Sequence, residues 1–216
     1  MRSISLAAAA LILLIVTPSF AQEWNDYVNR GDFFAVNLPG EPKVKDITWQ
    51  GEYVVKYPGH VYSVDAGQTH YSVTVVDYTD ALKKHQDNVK ACKAAGGDGD
   101  QCQERSSTDM RSALLYASWG VIEKDPNAKL THLVYTQADR VEGDDVHLTH
   151  PDGSRTFASV FMHENRLYIL EATVPKGEPQ PLIFQQSMRF LDKDGKTIRY
   201  ESPYTNGFPA PPRVRR

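Results

Sequence analysis

The apolar pattern of this chain changes period twice, and that order limits the folds open to it. Between Phe33 and Asp77, short runs of β-branched and aromatic residues are punctuated by Pro39-Gly40, Pro58-Gly59 and Gly67-Gln68. Such runs bounded by turn formers read as strands. From about Asp80 to Asp125 the spacing becomes helical, and from Leu130 onward it returns to strands. Runs of strands around inserted helices fit an α+β arrangement, a single domain with an antiparallel β-sheet flanked by helices.

The expected strands are Phe33–Leu38, Val44–Trp49, Tyr53–Tyr57 (ended by Pro58-Gly59), Val61–Val64 and Tyr71–Asp77. Residues 23–30 read as a short helix or lead-in. A polar helix is expected over Asp80–Lys93, with Leu82, Val89 and Cys92 as a thin apolar face. A second helix follows from Met110, Ala113, Leu114, Ala117 and Val121, which fall on one helical stripe. Ser107 or Thr108 would cap it, and Asp125-Pro126 would end it. Further strands are expected at Leu130–Tyr135 and, with a turn inside it, at Val141–Val146. The clearest hairpin pairs Thr156–Met162 with Arg166–Ala172 about His163-Glu164-Asn165. Pro179 and Pro181 open a last short helix. Residues 201–216 hold four prolines and three arginines and are expected to be a disordered tail.

Arg2, an apolar run of 11 from Leu6 to Val16, Pro18 and Ser19-Phe20-Ala21 have the layout of a secretory signal peptide. Residues 1–21 are therefore expected to be removed after Ala21, leaving a domain over 22–200. The run is far short of the roughly 20 residues a membrane-spanning helix needs, and no later stretch would span a bilayer. Export places the two cysteines, Cys92 and Cys102, in an oxidising compartment, where a disulfide across the Gly-rich segment between them is expected. The 24 basic and 27 acidic residues, net charge -3, argue against a dedicated nucleic-acid binder.

The segment Phe33-Phe34-Ala35-Val36-Asn37-Leu38-Pro39 comes early, and a late strand over Arg166–Ala172 leads to Phe184-Gln185-Gln186-Ser187-Met188-Arg189-Phe190. Over residues 30–192 this order resembles small bacterial periplasmic proteins of the PsbP-like fold. That fold also serves an extrinsic photosystem II subunit and a nuclear Ran-binding protein. The resemblance implies an α/β/α sandwich used for binding or as an accessory subunit. It carries no catalytic residue over.

The chain lacks Gly-x-Ser-x-Gly, a P-loop, His-Glu-x-x-His and a dinucleotide-binding glycine fingerprint. Seven histidines, His60, His70, His85, His132, His147, His150 and His163, raise the question of a metal. The densest cluster is Asp144, Asp145, His147 and His150, although positions 147 and 150 of a strand face opposite sides. Asp98 and Asp100 supply too few oxygens for a calcium loop. Tyr53, Tyr57, Tyr62 and Tyr71 form a candidate interaction face, because tyrosine joins apolar area to a hydroxyl, although alternation along the strands would also place some of them in the core. The expectation is an exported protein, periplasmic or secreted. It would be a non-enzymatic accessory or binding protein, without a cofactor, whose partner is an envelope protein or a small ligand. The alternative is a secreted metal-dependent hydrolase using the Asp144–His150 cluster.

Overall fold

A computed structural model of the protein describes residues 24–214. The expected signal peptide lies outside the described residues. The described residues form ten strands and three α-helices: β1 (Asn25–Asn29), β2 (Phe34–Leu38), β3 (Lys43–Gln50), β4 (Lys56–Ala66), β5 (Thr69–Asp77), α1 (Ala81–Ala94), α2 (Ser106–Glu123), β6 (Lys129–Ala138), β7 (Val141–Thr149), β8 (Arg155–His163), β9 (Arg166–Val174), α3 (Leu182–Gln185) and β10 (Arg189–Phe190). Seven strands make one antiparallel sheet in the order β3-β4-β5-β9-β8-β7-β6. A second sheet has the order β1-β2-β10. The fold is α+β and mostly antiparallel.

The large sheet is buried on both faces at its centre, which is why every residue of β8 from Thr156 to His163 is buried. Along β9, Leu167 and Ile169 point to one face while Tyr168, Leu170 and Ala172 point to the other, the period-2 alternation of a strand. The first face packs on α2 through Ala113, Ala117 and Val121. The second is covered by the small sheet and α3, through Phe34, Val36, Leu38, Phe184, Met188 and Phe190. One face thus carries the long helices and the other a small sheet with a single-turn helix.

Several local expectations are corrected. Residues 25–29 are a strand paired with β2, not a helix. Tyr53 lies in a turn in which Gly51 N donates to Val55 O. Pro58-Gly59 does not end a strand but sits inside β4. Pro58 pairs there only with Thr48 of the edge strand β3, because pairing with β5 begins at Gly59, so its missing donor interrupts no central ladder. Gly59 is needed at that crossing: a Cβ would lie 2.5 Å from Val75 O. Helix α1 turns Ala81 and His85 inward and leaves Leu82 52% exposed, so the expected apolar face is not the buried one. Helix α2 begins at Ser106, with Arg105 at its N-cap. β7 runs unbroken through Gly143, and the turn before it is Asp139-Arg140, both with positive φ.

Residues 201–214 were expected to be disordered and are instead docked. Tyr204 is buried among the core aromatics, Glu142 N donates to Tyr204 O, and Tyr204 N donates to Arg140 O. Further along, Glu201 N donates to Pro212 O and Val214 N to Arg199 O. The prolines remove donors, but those that remain find carbonyls, and one tyrosine supplies the apolar anchor. Cys92 and Cys102 form a disulfide that joins the end of α1 to a short 3-10 turn at Gly99–Cys102. No helix among the described residues is long and apolar enough to cross a membrane.

Candidate functional site

The four tyrosines do not form a face. Positions 57 and 62 of β4 are an odd number apart, so they point to opposite sides of the sheet. Tyr57 is buried against the helical layer and stacks on Tyr78 with ring centroids 4.0 Å apart. Tyr62 and Tyr71 are buried on the opposite side, in the aromatic core with Phe34 and Phe184. Tyr53 sits outside both, with the Arg105 guanidinium 5.5 Å from its ring centroid.

The Asp144–His150 cluster is likewise divided by strand alternation. Asp144 faces α2 and accepts from Ser118 Oγ at 2.8 Å, and burial pushes its carboxyl above the usual range. His150 lies beyond the end of β7, with Nδ1 2.7 Å from Asp125 Oδ2 and Nε2 2.8 Å from Thr156 Oγ1. Asp145 and His147 share the other face of β7, and the structure adds His132 of β6 to them. Leu130 pairs with Leu148, yet His132 rather than Thr131 pairs with His147. This one-residue bulge turns His132 to the His147 side. The two imidazoles stack with centroids 4.4 Å apart. His147 Nε2 lies 2.9 Å, and His132 Nε2 3.7 Å, from Asp145 Oδ2. Sequence reading missed His132 because its position depends on the bulge, which no local residue pattern announced.

The two edges of the large sheet differ in character. β3 carries Lys43, Lys45 and Asp46 exposed around Val44. Charged side chains on an edge discourage further strand pairing. β6, a strand of 10 residues, has no Asp, Glu, Lys or Arg from Leu130 to Ala138. Its Leu130, Leu133, Val134 and Tyr135 are exposed, Leu133 at 45% and Tyr135 at 56%. Tyr135 pairs with Asp144, the residue that Ser118 of α2 reaches. Leu115 and Trp119, three residues before and one after Ser118, are exposed as well.

On the opposite face, an open cleft of about 730 Å³ lies between α3 with the small sheet and strands β6–β8. Asn37, Gln137, Asp145, Gln185, Arg189 and Arg199 are among its lining residues. Arg189 pairs with Asp26, and Arg199 with Asp139 at 3.6 Å. Gln185, only 7% exposed, accepts from Gln180 Nε2 at 2.8 Å, while its own Nε2 has no partner among the described residues.

No known protein family matches this chain, and no curated protein matches it in sequence.

Proposed function

We propose that this is an exported, non-enzymatic accessory protein of PsbP-like architecture that binds an envelope partner along β6. The observation that carries the reading is the contrast between the edges: β3 is guarded by charge, and β6 presents a long uncharged row with apolar side chains on both sides. An exposed apolar edge strand offers unpaired backbone donors and acceptors to an added strand. The occupant is an extended segment of the partner, paired with the β6 backbone and covering Leu133 and Tyr135 on the side of α2. The signal-like N-terminus and the disulfide support a periplasmic or secreted location.

Crosslinked capture from cell envelopes tests this, with wild-type protein compared against Leu133→Lys and Tyr135→Lys. Both positions are exposed, so both variants should fold. A partner captured stoichiometrically by wild type and lost from both variants supports the reading. An identical captured set overturns it, and a dimer of the chain alone in place of a partner would reassign the edge to self-association.

A second reading is favoured by the unpartnered amide of Gln185. A buried donor without an acceptor costs about 1–3 kcal/mol, and a small oxygen-rich ligand in the cleft would supply one. Gln185→Leu would then release a ligand that native mass spectrometry finds on wild-type protein. No adduct on either protein overturns this reading.

A further inference from the structure

We propose that His132, Asp145 and His147 form a binding site for a divalent transition-metal ion, with Zn2+ as its representative. One ligand atom from each of the three residues lies within 4.8 Å of the other two. In a tetrahedral zinc site with bonds of about 2.0–2.2 Å, neighbouring ligand atoms stand roughly 3.3 Å apart. The separations of 2.9 and 3.7 Å from Asp145 Oδ2 bracket that value. Small rotations of the half-buried His132 ring would close the set.

The contacts inside the cluster do not explain it as a hydrogen-bonded group. His147 Nε2 is buried and lies beside the carboxylate, yet it makes no hydrogen bond among the described residues. Two ligand atoms thus stand side by side. Asp145 is oriented from behind by Ser159 Oγ at 3.3 Å, an outer support of the kind metal-binding carboxylates use.

Other histidine–carboxylate contacts lack this convergence. His60 directs one nitrogen to Asp32 and the other to Asp46, so its two acids cannot meet at one ion. His85 and His150 each meet a single carboxylate. Two imidazoles with one carboxylate suit zinc, copper or nickel rather than calcium or magnesium, which prefer all-oxygen sets. Three protein ligands leave at least one position for water or a further ligand. The site shares β6 with the docking edge but lies on the sheet face opposite Leu133 and Tyr135, so zinc uptake needs no partner, and partner capture needs no zinc.

Isothermal titration of untagged protein with ZnCl2 tests the site. One Zn2+ per chain is expected. His132→Ala and His147→Ala should each weaken binding by about a hundredfold, and Ser159→Ala by about tenfold. His150→Ala, which touches a different acid, should bind as wild type. His132 is 40% exposed on its side chain, so His132→Ala tests the site without risk to folding. No saturable uptake by wild type, or unchanged binding by His132→Ala, overturns the proposal.

Discussion

Tyr57 on β4 donates its phenolic proton to Asp109 on α2 at 2.7 Å. His85 Nε2 of α1 reaches the same carboxylate oxygen at 3.0 Å, so one buried acid ties both helices to the sheet. Burial raises the tyrosine pKa far above its ordinary value, with the hydrogen bond to Asp109 adding to it, so Tyr57 remains a donor at any working pH. Asp109 is fully buried, and its Oδ1 has no hydrogen-bond partner among the described residues. The network holds α2 against the sheet. Tyr57→Phe removes the phenolic donor to this acid and should lower stability by about 1–3 kcal/mol. Urea unfolding of the variant measures this, and an unchanged midpoint would show that the network contributes little.

Acid should weaken the fold through His163. Burial pushes its pKa down from 6.5 to about 3, with Arg213 and Arg166 adding to the effect, and its Nε2 lies 2.8 Å from Tyr200 Oη. The folded state keeps the ring neutral, whereas the unfolded chain takes up a proton below about pH 6.5. Nothing is lost at high pH, and stability falls from pH 6.5 toward 3 with a slope of up to about 1.4 kcal/mol per pH unit. Urea midpoints for wild type and His163→Phe between pH 6.5 and 4.5 should diverge in slope, with wild type the steeper. Parallel slopes would contradict the assignment.

Two glycine substitutions should act in opposite directions. At Gly143 a Cβ would stand 2.2 Å from Val160 O and 2.5 Å from the Phe161 ring, so Gly143→Ala should cost about 1–3 kcal/mol. At Gly120, inside α2, a Cβ meets nothing within 4 Å, so Gly120→Ala should stabilise by about 0.5–1 kcal/mol. Thermal melts of the two variants check both signs.

The Cys92–Cys102 bridge closes a loop at the rim of the helical layer. Its loss in Cys92→Ser should remove roughly 3 kcal/mol on the chain-entropy view. The melting temperature should drop by several degrees with the fold retained in circular dichroism. Two free thiols in native protein would refute the bridge.

The parts of this structure legible in the sequence were those determined by local chemistry. The hairpin about His163-Glu164-Asn165 is one, its turn made by Glu164 and Asn165 in left-handed conformation. The stripe of Ala113, Ala117 and Val121 is another, and so is the cysteine pair. What escaped depends on partners distant in sequence. Pro58-Gly59 looked like a stop because only the neighbouring strands reveal that Pro58 faces an edge. Alternation suggested that some of the tyrosines would be buried, but which ones depended on β2 and α3, which cover Tyr62 and Tyr71 and which nothing local places there. Residues 201–214 looked unstructured because their anchor, Tyr204, packs beside His163. His132 joined Asp145 and His147 only through a bulge in pairing.

Amide hydrogen exchange across Lys129–Ala138, with and without the partner captured from envelopes, tests the docking edge most directly. Outward amides of β6 lack a strand partner among the described residues. On binding they should become strongly protected, while the amides of the charged edge Lys43–Gln50 keep their rates. Unchanged exchange along β6 together with protection elsewhere would contradict the account.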